Sequence, residues 1–277
     1  MKKIYSALFI ILLPTLLLGQ VILTENFTYS DGSLVGNGTW ATHSGTDGDF
    51  QVSSGQAIIQ HGTPSEDVNL TFTTVAGNIF FAFDFSVDDL GSPYSGVDNE
   101  YFAHFMVDES SFTAKLDIVA PSGAGDFTIG ISTFSNTAEA TWGTDLDFDT
   151  MYRITVRYNQ DTNQATLWIN ATDESDTNIV SFDEADPGNS ITAFAFRQSD
   201  SSENETIRVD NLVIAQSFAN TLNTTRETQI EGFKIYPNPS ELNYITLSNK
   251  KNTEIDVSIF NVLGNTVFTG YTVNNKI

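Results

Sequence analysis

Residues 152–170 read YRITVRYNQDTNQATLWIN, and two alternations within them decide the fold. Tyr152, Ile154, Val156 and Tyr158 share one face of an extended chain, with Arg153, Thr155 and Arg157 on the other. After the polar turn at Asn159 to Asn163, Ala165, Leu167 and Ile169 alternate with Thr166 and Trp168. A period of two on both sides of a short turn predicts an antiparallel hairpin with one buried and one exposed face. Trp168 shares the side of Arg153 and Arg157, where arginine stems are expected to cover it.

The same alternation recurs along the chain. It runs through NIFFAFDFS (Ile79, Phe81, Phe83, Phe85), EYFAHFMVD (Tyr101, Ala103, Phe105, Val107), TAKLDIVA (Ala114, Leu116, Ile118) and DFTIGIST (Phe127, Ile129, Ile131). No window after the N-terminal segment carries a helical stripe. With shorter runs added, roughly ten to fourteen strands are expected between Gln20 and Phe218. Many strands separated by Gly, Asp, Asn and Ser turns predict an all-β chain built as a two-sheet antiparallel sandwich. The 21 phenylalanines suit the slot between its sheets.

The two ends read differently from the middle. MKKIYSALFIILLPTLLLG, residues 1–19, has two lysines, an apolar run and a small residue, the pattern of a secretory signal peptide. Pro14 and Gln20 leave the run short of the roughly 20 apolar residues that a membrane span needs. Removing Lys2 and Lys3 takes the net charge from −23 to −25. So acidic a chain is a poor partner for nucleic acid or anionic lipid and suits an extracellular protein. It has no cysteine, which points to a bacterial source. Residues 20–218 are expected to form the main domain and the polar stretch 219–231 a linker.

A second, smaller β unit is expected over 232–277. FKIYPNPS (233–240) leads into NYITLSN and then DVSIFNVLGNTV. These residues resemble the C-terminal sorting domain of the type IX secretion system of Bacteroidetes. The family's aromatic-Pro-Asn-Pro motif falls on Tyr236, Pro237, Asn238 and Pro239, and its Asn-x-x-Gly turn ends on Gly264. The resemblance implies a small Ig-like β-sandwich, recognition by the type IX machinery, and Sec passage followed by export to the outer surface or medium of a Gram-negative bacterium. The family's pattern runs on to a basic, apolar end, so the unit is expected to be incomplete at Ile277.

The main domain carries its own resemblance. An opening ENF (25–27), the 152–170 hairpin and the closing strand IRVDNLVIAQ (207–216) are similar to the concanavalin A-like jelly roll. The likeness implies fold more than function, since this architecture hosts lectins, hydrolases, lyases and adhesion modules. It also implies that calcium, if bound, is clamped by Glu25 and Asp210, with Asn211 and Asp84 as further ligands.

Catalytic patterns are sparse. Retaining glycosidases of this fold carry E-x-D-x-x-E on one strand, and the nearest stretch, KLDIVA, keeps only Asp117, with Lys115 and Ala120 at the glutamate positions. His104, on the polar side of its strand, is a candidate lyase base. Binding is better supported, because sugar sites set aromatic platforms beside carboxylates and amides. Such sets occur in TWATHSGTDGDF (Trp40, His43) and VDDLGSPYSGVDNEYF (Tyr94, Asp98, Tyr101). Three readings stand: an extracellular glycan binder, a polysaccharide-degrading enzyme, and a structural or adhesive surface protein.

Overall fold

The computed structural model describes residues 19–96, 100–181, 190–199, 201–222, 234–236, 246–248, 256–260 and 266–271. The chain forms two compact units, Met1–Leu222 and Asn223–Ile277. Residues 1–18 of the expected signal peptide, Asp98, and the sorting-motif residues Pro237, Asn238, Pro239 and Gly264 lie outside the described residues.

Among the described residues the first unit holds sixteen strands. In chain order they are β1 (Val21–Glu25), β2 (Gly32–Ser33), β3 (Ala41–Ser44), β4 (Gln51–Ser53), β5 (Gln56–Gln60), β6 (Asp67–Thr71), β7 (Asn78–Val87) and β8 (Tyr101–Met106). There follow β9 (Phe112–Val119), β10 (Thr128–Ser132), β11 (Ala140–Thr141), β12 (Tyr152–Asn159), β13 (Gln164–Ile169), β14 (Ile179–Ser181), β15 (Ala193–Phe196) and β16 (Thr206–Ala215). One sheet of nine strands runs β14-β13-β12-β7-β16-β5-β4-β2, with β1 also paired to β16. The other, of seven, runs β11-β10-β9-β8-β15-β6-β3. All pairings in both are antiparallel, so the unit is the expected two-sheet sandwich. Among the described residues there is no α-helix, only a 3-10 turn at Phe218–Asn220.

The 152–170 hairpin forms as expected, with its register running from Ile154 opposite Ile169 to Asn159 opposite Gln164. Ile154, Val156, Tyr158, Ala165 and Leu167 enter the core. Its turn is fastened by the Tyr158 hydroxyl, which donates to Asn163 Oδ1 at 2.6 Å. On the other face the Arg157 guanidinium covers the Trp168 ring at 5.5 Å, and Trp168 Nε1 donates to the Glu174 carbonyl. Trp168 is thus closed off as a ligand platform.

The phenylalanines fill the slot between sheets. Phe81, Phe83 and Phe85 of β7 face Phe102 and Phe105 of β8 and Phe194 and Phe196 of β15, with ring centroids as close as 4.9 Å for Phe81 and Phe105. Each such side chain contributes about 1.5–3 kcal/mol through burial. The ends of the unit are tied together as well. β1 lies along β16, and Arg153 donates to Asp84, to the Asn211 carbonyl and to the Thr221 carbonyl.

One strand departs from simple alternation. The pattern in EYFAHFMVD places Tyr101 on the face of Ala103 and Phe105, but the β8–β9 register shifts twice, between Tyr101 and Ala103 and again between Ala103 and Phe105. Ala114 in β9 adopts φ +52°, consistent with a bulge there. The extra residues turn Tyr101 outward while Phe102, Ala103 and Phe105 remain inside.

In the second unit β17 (Lys234–Tyr236) pairs with β18 (Thr246–Ser248), and β19 (Asp256–Phe260) pairs with β20 (Thr266–Tyr271), both antiparallel. Tyr236, the aromatic of the sorting motif, ends β17. Among the described residues no helix is long and apolar enough to cross a membrane.

Candidate functional site

Alternation in the seven-stranded sheet sends Ala114, Leu116, Ile118, Phe194 and Phe196 inward, so Lys115, Asp117, Ala193 and Ala195 stand on its outer face. That face is curled. His43 belongs to β3 and Phe112 to β9, four places apart in the strand order, yet their rings are 5.4 Å apart and edge-on. Four steps in a flat sheet would separate the strands by about 19 Å. The methyl side chains of Ala193 and Ala195, on the intervening β15, leave the floor low enough for the rings to meet above it. Met106 completes that floor, Phe112 packs on it, and the Phe112 ring lies 4.5 Å from His104.

The other end of the face is charged. Tyr101 stands opposite Asp117 across the β8–β9 ladder, and Gly130 of β10 is opposite Asp117 on its far side. The Lys115 ammonium lies 4.9 Å from the Tyr101 ring centroid and the Arg197 guanidinium 4.4 Å from it. Lys115 Nζ also donates to the Phe134 carbonyl at 2.8 Å and to Asn136 Oδ1 at 2.7 Å. Arg197 pairs with Glu100 through Nη1.

Asp117 is fully buried, and among the described residues neither carboxyl oxygen accepts a hydrogen bond. An ionised carboxylate in that position would be costly, and burial pushes its pKa up to about 8. It therefore carries its proton at neutral pH. Burial also pushes His104 down to about 3, so its imidazole is neutral, and raises Tyr101 and Asp67 above their ordinary ranges. The face thus sets a neutral Asp117 and His104 beside Lys115 and the Arg197–Glu100 ion pair, within a strongly acidic chain.

Of the residues picked from sequence, the structure brings His43 and Tyr101 to this face. Trp40 and Tyr94 go elsewhere. Both are buried between the sheets, Trp40 against Phe27 and stacked on Phe196 at 5.7 Å, so the aromatic platforms expected at those loops are core residues instead. Glu25 is committed as well. Its carboxylate accepts from the Phe27 amide, the Tyr29 hydroxyl and Trp40 Nε1 at 2.7–3.1 Å. Asp84 accepts from Arg153 and from Asn211 Nδ2, and Asp210 from the Asn211 amide. No group of three or more metal-ligating side chains occurs among the described residues. The arrangement at Glu25 and Asp210 leaves the expected calcium few open positions: protein donors occupy both Glu25 oxygens and one Asp210 oxygen, and Arg153 supplies positive charge nearby. Arg197, Phe112 and the Lys115–Asp117 pair were not picked as binding residues. The signal that could have found the pair is a lysine and an aspartate alternating with Leu116 and Ile118, which puts both charges on one face.

Residues 234–277 match the family described as "Secretion system C-terminal sorting domain". The C-terminal segment is therefore a type IX sorting domain, and such a domain marks a chain for export to the cell surface or the medium. No curated protein matches the chain. Among solved structures it is similar to lectin II from Ulex europaeus (14% identity, TM-score 0.46, covering 72% of this chain and 100% of the lectin). Peanut lectin with a bound 9mer peptide is comparable (13%, 0.46, 70% and 97%), as is the Emp47p carbohydrate recognition domain (11%, 0.43, 70% and 95%).

Proposed function

We propose that this is an exported protein whose jelly-roll unit, residues 20–218, binds extracellular glycan in the curled outer face of its seven-stranded sheet. The observation that carries the reading is the approach of His43 and Phe112 across an alanine floor. It sets partly exposed rings on an apolar patch, and rings beside polar groups are what sugar sites use. The charged end, with Tyr101, Arg197 and Lys115, continues the same face. Catalysis is less well supported, because a retaining glycosidase needs a free nucleophile and acid, while at this face Glu100 is paired with Arg197 and Asp117 stands beside a lysine.

The test is retention of the full chain on a broad polysaccharide array, with Phe112→Ala as the variant. Retention weakened about tenfold or more by the variant supports the reading. A blank array combined with altered cell attachment on gene deletion would replace it with an adhesive role, and release of reducing sugar or unsaturated uronate with an enzymatic one.

A further inference from the structure

The outer face of the nine-stranded sheet carries a groove of about 430 Å³, on the side of the sandwich away from Phe112. In β5, QAIIQ, alternation turns Ala57 and Ile59 into the core and sets Gln56, Ile58 and Gln60 outward, so an isoleucine stands where a polar residue is expected. Ile58 is half-buried and lines the groove. Gln51 of β4 is opposite it on one side and Arg208 of β16 on the other. Beyond β4 comes Gly32 of β2, which has no side chain and leaves that wall low.

Three polar side chains around Ile58 are held by the protein through one group and leave another unused. Arg208 gives Nε and Nη2 to the two oxygens of Asp88 at 2.6 and 2.7 Å, Gln51 Nε2 donates to the Gly48 carbonyl at 2.6 Å, and Asp31 Oδ1 accepts from the Ser54 amide at 2.7 Å. Arg208 Nη1, Gln51 Oε1 and Asp31 Oδ2 make no hydrogen bond among the described residues. Side chains fixed in advance lose little freedom when a ligand arrives. The charge balance then narrows the ligand. Arg208 is compensated by Asp88, with Asp149 also near it, and Asp31 leaves the groove net negative, so an anion is opposed. A neutral sugar matches, because its hydroxyls both donate and accept and its C–H face can rest on Ile58.

We propose that this groove is a second saccharide site, for a neutral segment, so that the sandwich holds glycan on both outer faces and bridges two strands. The inference rests on the glycan-binding reading and extends it. The two sheets of a sandwich lie about 10 Å apart and their outer faces point away from each other, so neither site obstructs the other.

The experiment is calorimetric titration of the full chain with neutral oligosaccharides of glucose, mannose, galactose and xylose, with galacturonate and lysine oligomers as charged controls. A neutral sugar is expected to fill two sites per chain, one of which survives Phe112→Ala. Gln51→Ala, which removes an acceptor, should weaken that surviving site about tenfold. Ile58→Lys, which fills the groove with a cation that Asp31 and Asp88 accommodate, should abolish it while the melting temperature is kept. Neutral binding lost entirely in Phe112→Ala and untouched by Ile58→Lys would overturn this inference and leave glycan binding standing. Binding confined to the groove would uphold the site and overturn both the bridging and the assignment of the Phe112 face. No neutral sugar bound, with the galacturonate control equally blank, would overturn the glycan reading along with the inference. A charged control bound more tightly than any neutral sugar, and lost in both Gln51→Ala and Ile58→Lys, would overturn the ligand class.

Discussion

His61 Nδ1 lies 2.8 Å from Glu205 Oε1, and neither side chain has any exposed surface. The pair joins the residue after β5 to the residue before β16, and the Ser201 hydroxyl donates to the second Glu205 oxygen at 2.7 Å. Burial opposes the charge on Glu205, but the imidazole and the hydroxyl hold it below the ordinary glutamate range. An acid depressed on folding gives stability that is present above its unfolded pKa and is lost as pH falls through its folded one. Glu205→Gln is therefore expected to cost about 3–5 kcal/mol at neutral pH. Denaturant titrations should show the variant's deficit shrinking on acidification; a deficit unchanged by pH would remove the pair from the explanation.

Asp117 has the opposite sign. Its pKa rises on folding to about 8, so stability is greatest in acid, declines as pH climbs from the unfolded aspartate value toward about 8, and is level above that. Asp117→Asn should gain on the order of 1–3 kcal/mol at pH 7 and flatten that decline. Thermal melts across pH check both. A destabilised variant would mean that Asp117 makes a contact that its isolation in the fold conceals. Keeping an acid at such a cost is the pattern of functional sites that trade stability for chemistry.

Trp40 and Tyr94 should behave as core residues. Replacing either by alanine is expected to cost about 3–5 kcal/mol. Trp40→Phe, which keeps most of the packing, should leave glycan retention unaltered, whereas a selective loss of retention at full stability would return Trp40 to the binding surface.

Glu25 offers a similar discrimination for calcium. As an acceptor for three protein donors, it should cost about 1–3 kcal/mol when replaced by glutamine, by the same amount in calcium as in chelator. A calcium-dependent rise in the wild-type melting temperature that the variant abolishes would identify Glu25 as a ligand instead.

The sandwich was legible because alternation reports burial directly. Ile79, Phe81, Phe83 and Phe85 read as one face and form one, and the turn at Asn159 to Asn163 marked its hairpin. Tyr101 was misread because a bulge shifts the phase by one residue, and strict period two has no way of showing that. Trp40 and Tyr94 were misread for another reason. A loop aromatic beside carboxylates has the same local pattern whether it caps the core or faces solvent, and the choice depends on distant partners such as Phe196. The meeting of His43 and Phe112 was illegible: they are 69 positions apart and come together only because the sheet curls over two alanines.

The most direct measurement is a crystal structure of the chain with an oligosaccharide that it retains. The sugar is expected in the curled face, against Phe112 and His43 and extending toward Arg197. The nine-stranded sheet carries a shallow groove of its own, lined by Asp31, Gln51, Gln60, Asp88, Thr206 and Arg208. A sugar lodged there, with the Phe112 face empty, would contradict the assignment.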